Sequence, residues 1–195
     1  KPMVIGNLNT KRIKIKPEKQ QLVCKSDLVL GDGIINDIKD IIFISPMTFD
    51  PSATNEIALE IEKINKKIND PYLLVGPGRW GSADPFLGIP VNWNQISRAK
   101  VIVEYSHRRM DPDPSFGSHF FQNITILHLG YFTLNKKDAM DINWKWLNEQ
   151  KQIHKTAHLH HVKLDDNLYI DINGRKGTGF ISKPIQIEDQ MDERE

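Results

Sequence analysis

One cysteine in 195 residues, Cys24, leaves nothing for it to pair with inside the chain, so the fold is expected to do without a disulfide. No apolar run approaches the ~20 residues that cross a bilayer as a helix. The opening stretch, KPMVIGNLNTKRIKIK, lacks the continuous apolar centre of a signal peptide. An excess of one charge is missing too. Against 26 Lys and Arg stand 25 Asp and Glu, a net charge of +1, which removes the electrostatic case for nucleic acid or an anionic membrane as partner. There is no internal repeat and no low-complexity linker. What remains is a globular composition, 39% hydrophobic and 26% charged, long enough to bury a proper core. The expected compartment is the reducing cytoplasm. The chain opens on Lys1-Pro2 rather than on methionine, which fits a piece of a longer polypeptide whose other domains would be its partners.

Hydrophobic periodicity divides the chain. KRIKIK at residues 11–16 alternates basic residues with isoleucine and predicts a half-buried strand, its lysines guarding a sheet edge. Residues 22–25 and 28–30 are further strand candidates, and Gly31-Asp32-Gly33 is a turn. IIFIS at 41–45 predicts a buried strand that Pro46 ends. Asp50 and Pro51 then open the best helix, with Ile57, Ile61, Ile64 and Ile68 on one stripe. Residues 72–75 and 101–104 predict two more buried strands, so strand, helix, strand is expected as a crossover unit. Residues 107–117 read as a loop, 118–126 as a short helix, 130–134 as a strand and 143–147 as a small helix. Strands near 161–164 and 168–172 lead to a hairpin-like turn at Asn173-Gly174. The expected fold is a mixed α/β domain over residues 1–187. It has a central mixed sheet, flanking helices and a small β-rich C-terminal portion, with a polar, frayed tail at 188–195.

The segment VGPGRWGSADP, residues 75–85, carries the strongest chemical signal. Glycines directly after a strand let backbone N–H groups converge on a phosphate or carboxylate. Gly76, Gly78 and Gly81 would form such a nest. Arg79 would add a charge-assisted contact and Ser82 a further donor, while Asp84 is a candidate ligand for a metal bridging to phosphate. The spacing matches neither the P-loop nor the dinucleotide fingerprint. The competing reading is a rigid loop in which Trp80 and Phe86 plug the core and Arg79 pairs with a carboxylate. Ser118 and His119 follow a glycine at a helix start, which makes them candidates to touch an anion, with His119 also a candidate base or phosphoryl acceptor. The plainer alternative is a serine cap beside a half-buried histidine. Glu104, closing its strand, is a candidate metal ligand or a partner for Arg108 or Arg109. His154 and His158 would share a face if their segment were helical, but no cysteine or HExxH pattern completes a metal site with them, and surface and strand histidines are the better reading. GRKGTG at 174–179 reads as a basic hairpin loop before a phosphate site.

YLLVGPGRWGSADPFLGIPVNWNQISRAKVIVE at 72–104 resembles a signature of large bacterial phosphoenolpyruvate synthase or pyruvate, phosphate dikinase-like proteins. GDGIINDIKDIIFISPMTFDP, DPSFGSHFFQNI, GYFTLN and the HVKL and INGRKGTG elements of the tail resemble the same proteins in the same order. The resemblance covers most of the chain. It departs at Ala83 and Phe86, where related copies read Ser-Asp-Pro-Trp. It implies a parent phosphotransferase that uses ATP and Mg²⁺, with this chain lying beyond the nucleotide-binding part. His119 lacks the usual phosphohistidine context, being followed by Phe120 and Phe121. Two expectations follow. The chain is an accessory domain binding a small anionic ligand through Gly76, Gly78, Arg79, Gly81, Ser82, Asp84, Ser118 and His119, or it is a structural module docking neighbouring domains. The first requires Arg79, Ser82 and His119 to converge on an open pocket. The second requires Arg79 to be paired internally and Trp80 to be buried or at a flat surface.

Overall fold

The computed structural model describes residues 15–112 and 119–185. Most of the expected lysine-isoleucine strand and all of the polar tail lie outside that range; Ile15 and Lys16, inside it, belong to no strand. The strands and helices run in the order β1 (Leu22–Ser26), β2 (Val29–Leu30), β3 (Gly33–Ile35), β4 (Asp40–Phe43), α1 (Thr54–Lys67), β5 (Tyr72–Pro77), β6 (Arg79–Trp80), β7 (Gly88–Ile89) and β8 (Ala99–Tyr105). There follow α2 (His119–Ile126), β9 (Gly130–Leu134), α3 (Lys136–Met140), α4 (Trp144–Glu149), β10 (Gln152–Lys155), β11 (His160–Lys163), β12 (Tyr169–Asn173) and β13 (Thr178–Ser182). This is the mixed α/β architecture expected. Among the described residues no helix is long and apolar enough to cross a membrane.

The central sheet has seven strands in the order β10-β11-β4-β5-β8-β9-β2. Its middle four, β4, β5, β8 and β9, are parallel, and antiparallel strands extend both edges. Parallel neighbours need a crossover. Between β4 and β5 that crossover is α1, as the isoleucine stripe predicts. Asp50 caps a short 3-10 turn, Pro51–Ala53, that leads into the helix, and Ile57, Ile61, Ile64 and Ile68 are all buried. Each such side chain contributes about 1.5–3 kcal/mol by leaving water.

Two cores flank the sheet. One joins Ile42, Leu74, Ile102 and Tyr131 to the α1 stripe, Trp80, Ile89 and Ile124 of α2. The other joins Ile41, Phe43, Leu73, Val75, Val101, Val103 and Phe132 to the second sheet and to Ala139 and Leu147 of α3 and α4. Neighbouring positions of one strand thus serve opposite faces, as the period of two requires. With both faces covered, the central strands read as continuous apolar runs. The second sheet is antiparallel, in the order β1-β13-β12-β3. The C-terminal part is β-rich as expected, but its strands are shared out. β10 and β11 extend the central sheet, and β12 and β13 are enclosed between N-terminal β1 and β3.

Candidate functional site at the carboxyl ends of the parallel strands

The glycine-rich segment leaves β5 at the carboxyl edge of the parallel strands, the edge at which open α/β sheets usually hold ligands. There the chain folds back on itself. β6 pairs with β7, placing Arg79 opposite Gly88 and Trp80 opposite Ile89. Two glycines permit the closure. A Cβ on Gly76 would lie 2.3 Å from the Trp80 ring, and one on Gly88 would lie 1.8 Å from the Arg79 carbonyl oxygen. Trp80 therefore sinks into the core, where its indole N–H donates to the Val103 carbonyl at 3.2 Å.

The backbone N–H groups expected to cradle an anion are already engaged. Gly78 donates to the Tyr105 carbonyl at 3.0 Å, Arg79 to that of Leu87 at 2.8 Å, and Gly81 to that of Ile89 at 2.8 Å. Trp80 N–H donates to Glu104 Oε1 at 3.0 Å. The nest expected from the glycine spacing is thus replaced by a clamp. Its one anion is the protein's own Glu104.

Glu104 lies at the end of β8, level with Gly76 on β5 and Thr133 on β9. It is 2% exposed. Burial is the main influence on its carboxyl and pushes the pKa up to about 7. Hydrogen bonds from the Tyr131 side chain and the Trp80 N–H, and then the positive charge of Arg79, pull it back down. The expected partners Arg108 and Arg109 are replaced by Arg79. Glu104 Oε2 is buried without a hydrogen-bond partner, a costly state for an ionised carboxylate. Close by, the Ser106 hydroxyl donates to Asp111 Oδ1 at 2.5 Å, and Tyr105 donates to the Ile44 carbonyl at 2.6 Å.

The other expected site residues divide. Ser82 and Asp84 stabilise their own turn: the Ser82 hydroxyl donates to the Asp84 carbonyl, and Asp84 Oδ1 accepts from Phe86 N–H at 2.9 Å. The competing rigid-loop reading has Phe86 plugging the core beside Trp80; Phe86 is instead 76% exposed at the tip of the loop. The prolines and the Asp84 turn hold the tip out, and Trp80 alone fills the interior position. Ser118 lies outside the described residues. His119 opens α2, but its side chain also lies outside them. Neither Asp84 nor Glu104 fits Mg²⁺. Asp84 is exposed and committed to its turn, Glu104 is buried beside a guanidinium, and no group of three or more potential metal ligands occurs among the described residues. The engaged N–H groups likewise leave no phosphate cradle for ATP at residues 78–81.

The histidine cluster is not helical. His154 stands on β10, opposite His161 on β11, and His158 lies in the connection between them, 3.4 Å from Glu56. The strand reading of these histidines holds for His154, His160 and His161, and the helical face does not form. His160 stacks on Phe43, with ring centroids 4.7 Å apart and planes 2° apart. The GRKGTG loop is a hairpin turn, closed by Gly177 N–H to the Asn173 carbonyl and by Lys176 N–H to Asn173 Oδ1.

One pair escapes sequence reasoning. His161 Nε2 lies 2.8 Å from Asp40 Oδ1, with both side chains buried. The residues are separated by 121 positions, and only the β4–β11 pairing brings them together. The signal available was a carboxylate directly before the apolar run IIFIS and a histidine inside a strand.

Compared with protein-family models, curated proteins and solved structures, the chain matches none of them.

Proposed function

We propose that this chain is a non-catalytic structural and docking module of a larger phosphotransferase resembling phosphoenolpyruvate synthase, in which the glycine-arginine loop is a rigid clamp. The observation that carries this reading is the use of four successive N–H groups, Gly78 to Gly81, by acceptors of the protein itself. A loop built to receive phosphate keeps such donors for its ligand. Here they fix the loop to β7, β8 and the Glu104 carboxylate. The clamp in turn holds out the exposed tip that carries Phe86 and Leu87. Aromatic side chains of this kind anchor interfaces. The partners in this reading are other domains of the same polypeptide, in the cytoplasm. ATP and Mg²⁺ would serve those domains rather than this one.

A second reading keeps one specific observation. The buried Glu104 Oε2 without a donor, at the ligand-binding edge of a parallel sheet, is what a small ligand near Arg79 would complete. Calorimetric titration of the chain with phosphoenolpyruvate, pyruvate, phosphate and ATP, with and without Mg²⁺, separates the two. The clamp reading predicts no saturable heat that Arg79→Ala abolishes, and faster amide exchange in the loop when Phe86→Ser is placed in the multidomain polypeptide. Saturable binding lost in Arg79→Ala, with that variant folded, would overturn it in favour of a ligand site.

A further inference from the structure

A cleft of about 730 Å³ opens at the amino end of β4, the opposite end of the parallel strands from the clamp, between the second half of α1 and the β10–β11 hairpin. Asp40, His161 and Lys163 line one wall, and Lys63 and Lys67 line another. The carboxylate of Asp40 is the unusual element. Its side chain is 3% exposed, Oδ1 faces His161 Nε2 at 2.8 Å, and Oδ2 is buried with no hydrogen-bond partner. Lys163 Nζ stands 3.6 Å from Oδ2, close enough for attraction but too far for a hydrogen bond. A buried oxygen left so is unfavourable, the more so when charged, unless something else donates to it. The other acid beside the cleft that α1 supplies, Glu60, already accepts from Thr156 at 2.7 Å.

The α1 wall differs in sign. Lys63 and Lys67 are one helical turn apart and exposed, and among the described residues neither forms an ion pair. The cleft therefore offers an acceptor without a donor on one side and two uncommitted ammonium groups on the other. A metal ion could answer the acceptor but would be repelled by the two ammonium groups, and no metal-ligand group of three or more occurs among the described residues.

We propose that this cleft binds a small hydroxylated anion, its hydroxyl donating to Asp40 Oδ2 and its phosphate or carboxylate lying against Lys63 and Lys67. His161 acts as a positioning residue: its bond to Oδ1 turns the carboxylate so that Oδ2 is left for the ligand. Ile64 and Ile68, also on the cleft wall, supply the apolar floor on which a short carbon chain rests. The site is independent of the clamp and of the proposed docking function.

The test uses ¹H–¹⁵N spectra of the chain, read at the His161 ring and at neighbouring amides. Glycerol 3-phosphate and glycerate are titrated separately, with glycerol and inorganic phosphate as controls. Saturable shifts are expected with at least one of the two hydroxylated anions, and the tighter of them identifies the acidic group. Glycerol alone should leave the spectrum unchanged, and phosphate should bind at least tenfold more weakly. Asp40→Asn keeps an oxygen for His161 but turns the vacant acceptor into a donor, and should weaken binding at least tenfold. Lys63→Gln with Lys67→Gln, on the exposed face, tests the anion side without disturbing the core and should weaken it by a similar factor. Absence of saturable shifts with both anions overturns the proposal, as does binding that the lysine variant leaves unchanged.

Discussion

The two ends of the central parallel strands enclose buried carboxylates differently. At the carboxyl ends of the parallel strands, Glu104 is enclosed by the protein: Trp80 N–H, Tyr131 and Arg79 surround it, and the glycine-rich loop closes over them. At the amino end of β4, Asp40 is held by His161, yet it fronts an open cleft with one oxygen lacking a donor. The first region carries the conspicuous motif and directs its donors inward. The second carries no motif; each carboxylate leaves one oxygen without a donor, but that of Asp40 belongs to the wall of an open cleft. Glycine and arginine in a loop thus indicate convergence of polar groups, but the identity of the anion at the convergence point decides whether a site or a clamp results. Here the anion is a side chain.

The largest effect should come from the clamp's closest approach. Gly88→Ala places a Cβ 1.8 Å from the Arg79 carbonyl, so β6 and β7 must separate, at a cost of about 3 kcal/mol or more. A urea midpoint within error of the parent's would show that the loop is not clamped.

A comparable change should follow pH at Glu104. Its pKa in the folded chain is about 7 against the ordinary 4.5. The folded state therefore keeps the proton through a window in which the unfolded chain releases it. Stability from this group is greatest below pH 4.5, declines as pH rises, and levels off above about 7. At roughly 1.4 kcal/mol per pKa unit the total is about 3 kcal/mol. Glu104→Gln should remove that slope from a series of denaturant titrations between pH 4.5 and 8. An unchanged slope would place the titrating group elsewhere.

Asp40→Ala strips His161 of its acceptor and should destabilise the chain by about 2 kcal/mol, read as a shift in thermal midpoint. That is less than the clamp loses, because the Asp40 region is already open to the cleft. The smallest effect belongs to Phe86→Ser, expected within about 0.5 kcal/mol because an exposed tip is changed. A larger loss would mean that the tip packs against the domain rather than projecting from it.

Much of the fold was legible in the sequence because its signals are local. The α1 isoleucines repeat at 57, 61, 64 and 68, Asp50 and Pro51 announce the start, and the central strands are unbroken apolar runs. What could not be read was distant pairing. Strand histidines are the better reading of residues 154–161, but nothing near them reveals that they pair as an edge hairpin, with His154 opposite His161. Phe86 looked like a core residue because an aromatic beside a proline-rich turn has no period to show which way it points. The site was half legible. Arg79 and Glu104 are both conspicuous in the sequence, but their association crosses from β6 to β8, and proximity along the chain offers Glu104 only a metal or the nearer Arg108 and Arg109. The Asp40–His161 pair depends wholly on sheet order, which no short window records.

The central claim is that Arg79 and Glu104 form the interior of one clamp. A double-mutant cycle with Arg79→Met and Glu104→Gln, measured by urea unfolding at pH 8, tests it most directly. With Glu104 ionised at that pH, a coupling of about 1 kcal/mol or more is expected, shrinking at pH 5 as the carboxyl takes up its proton. Additivity to within about 0.3–0.5 kcal/mol at pH 8 would contradict the account, leaving Arg79 available to a ligand.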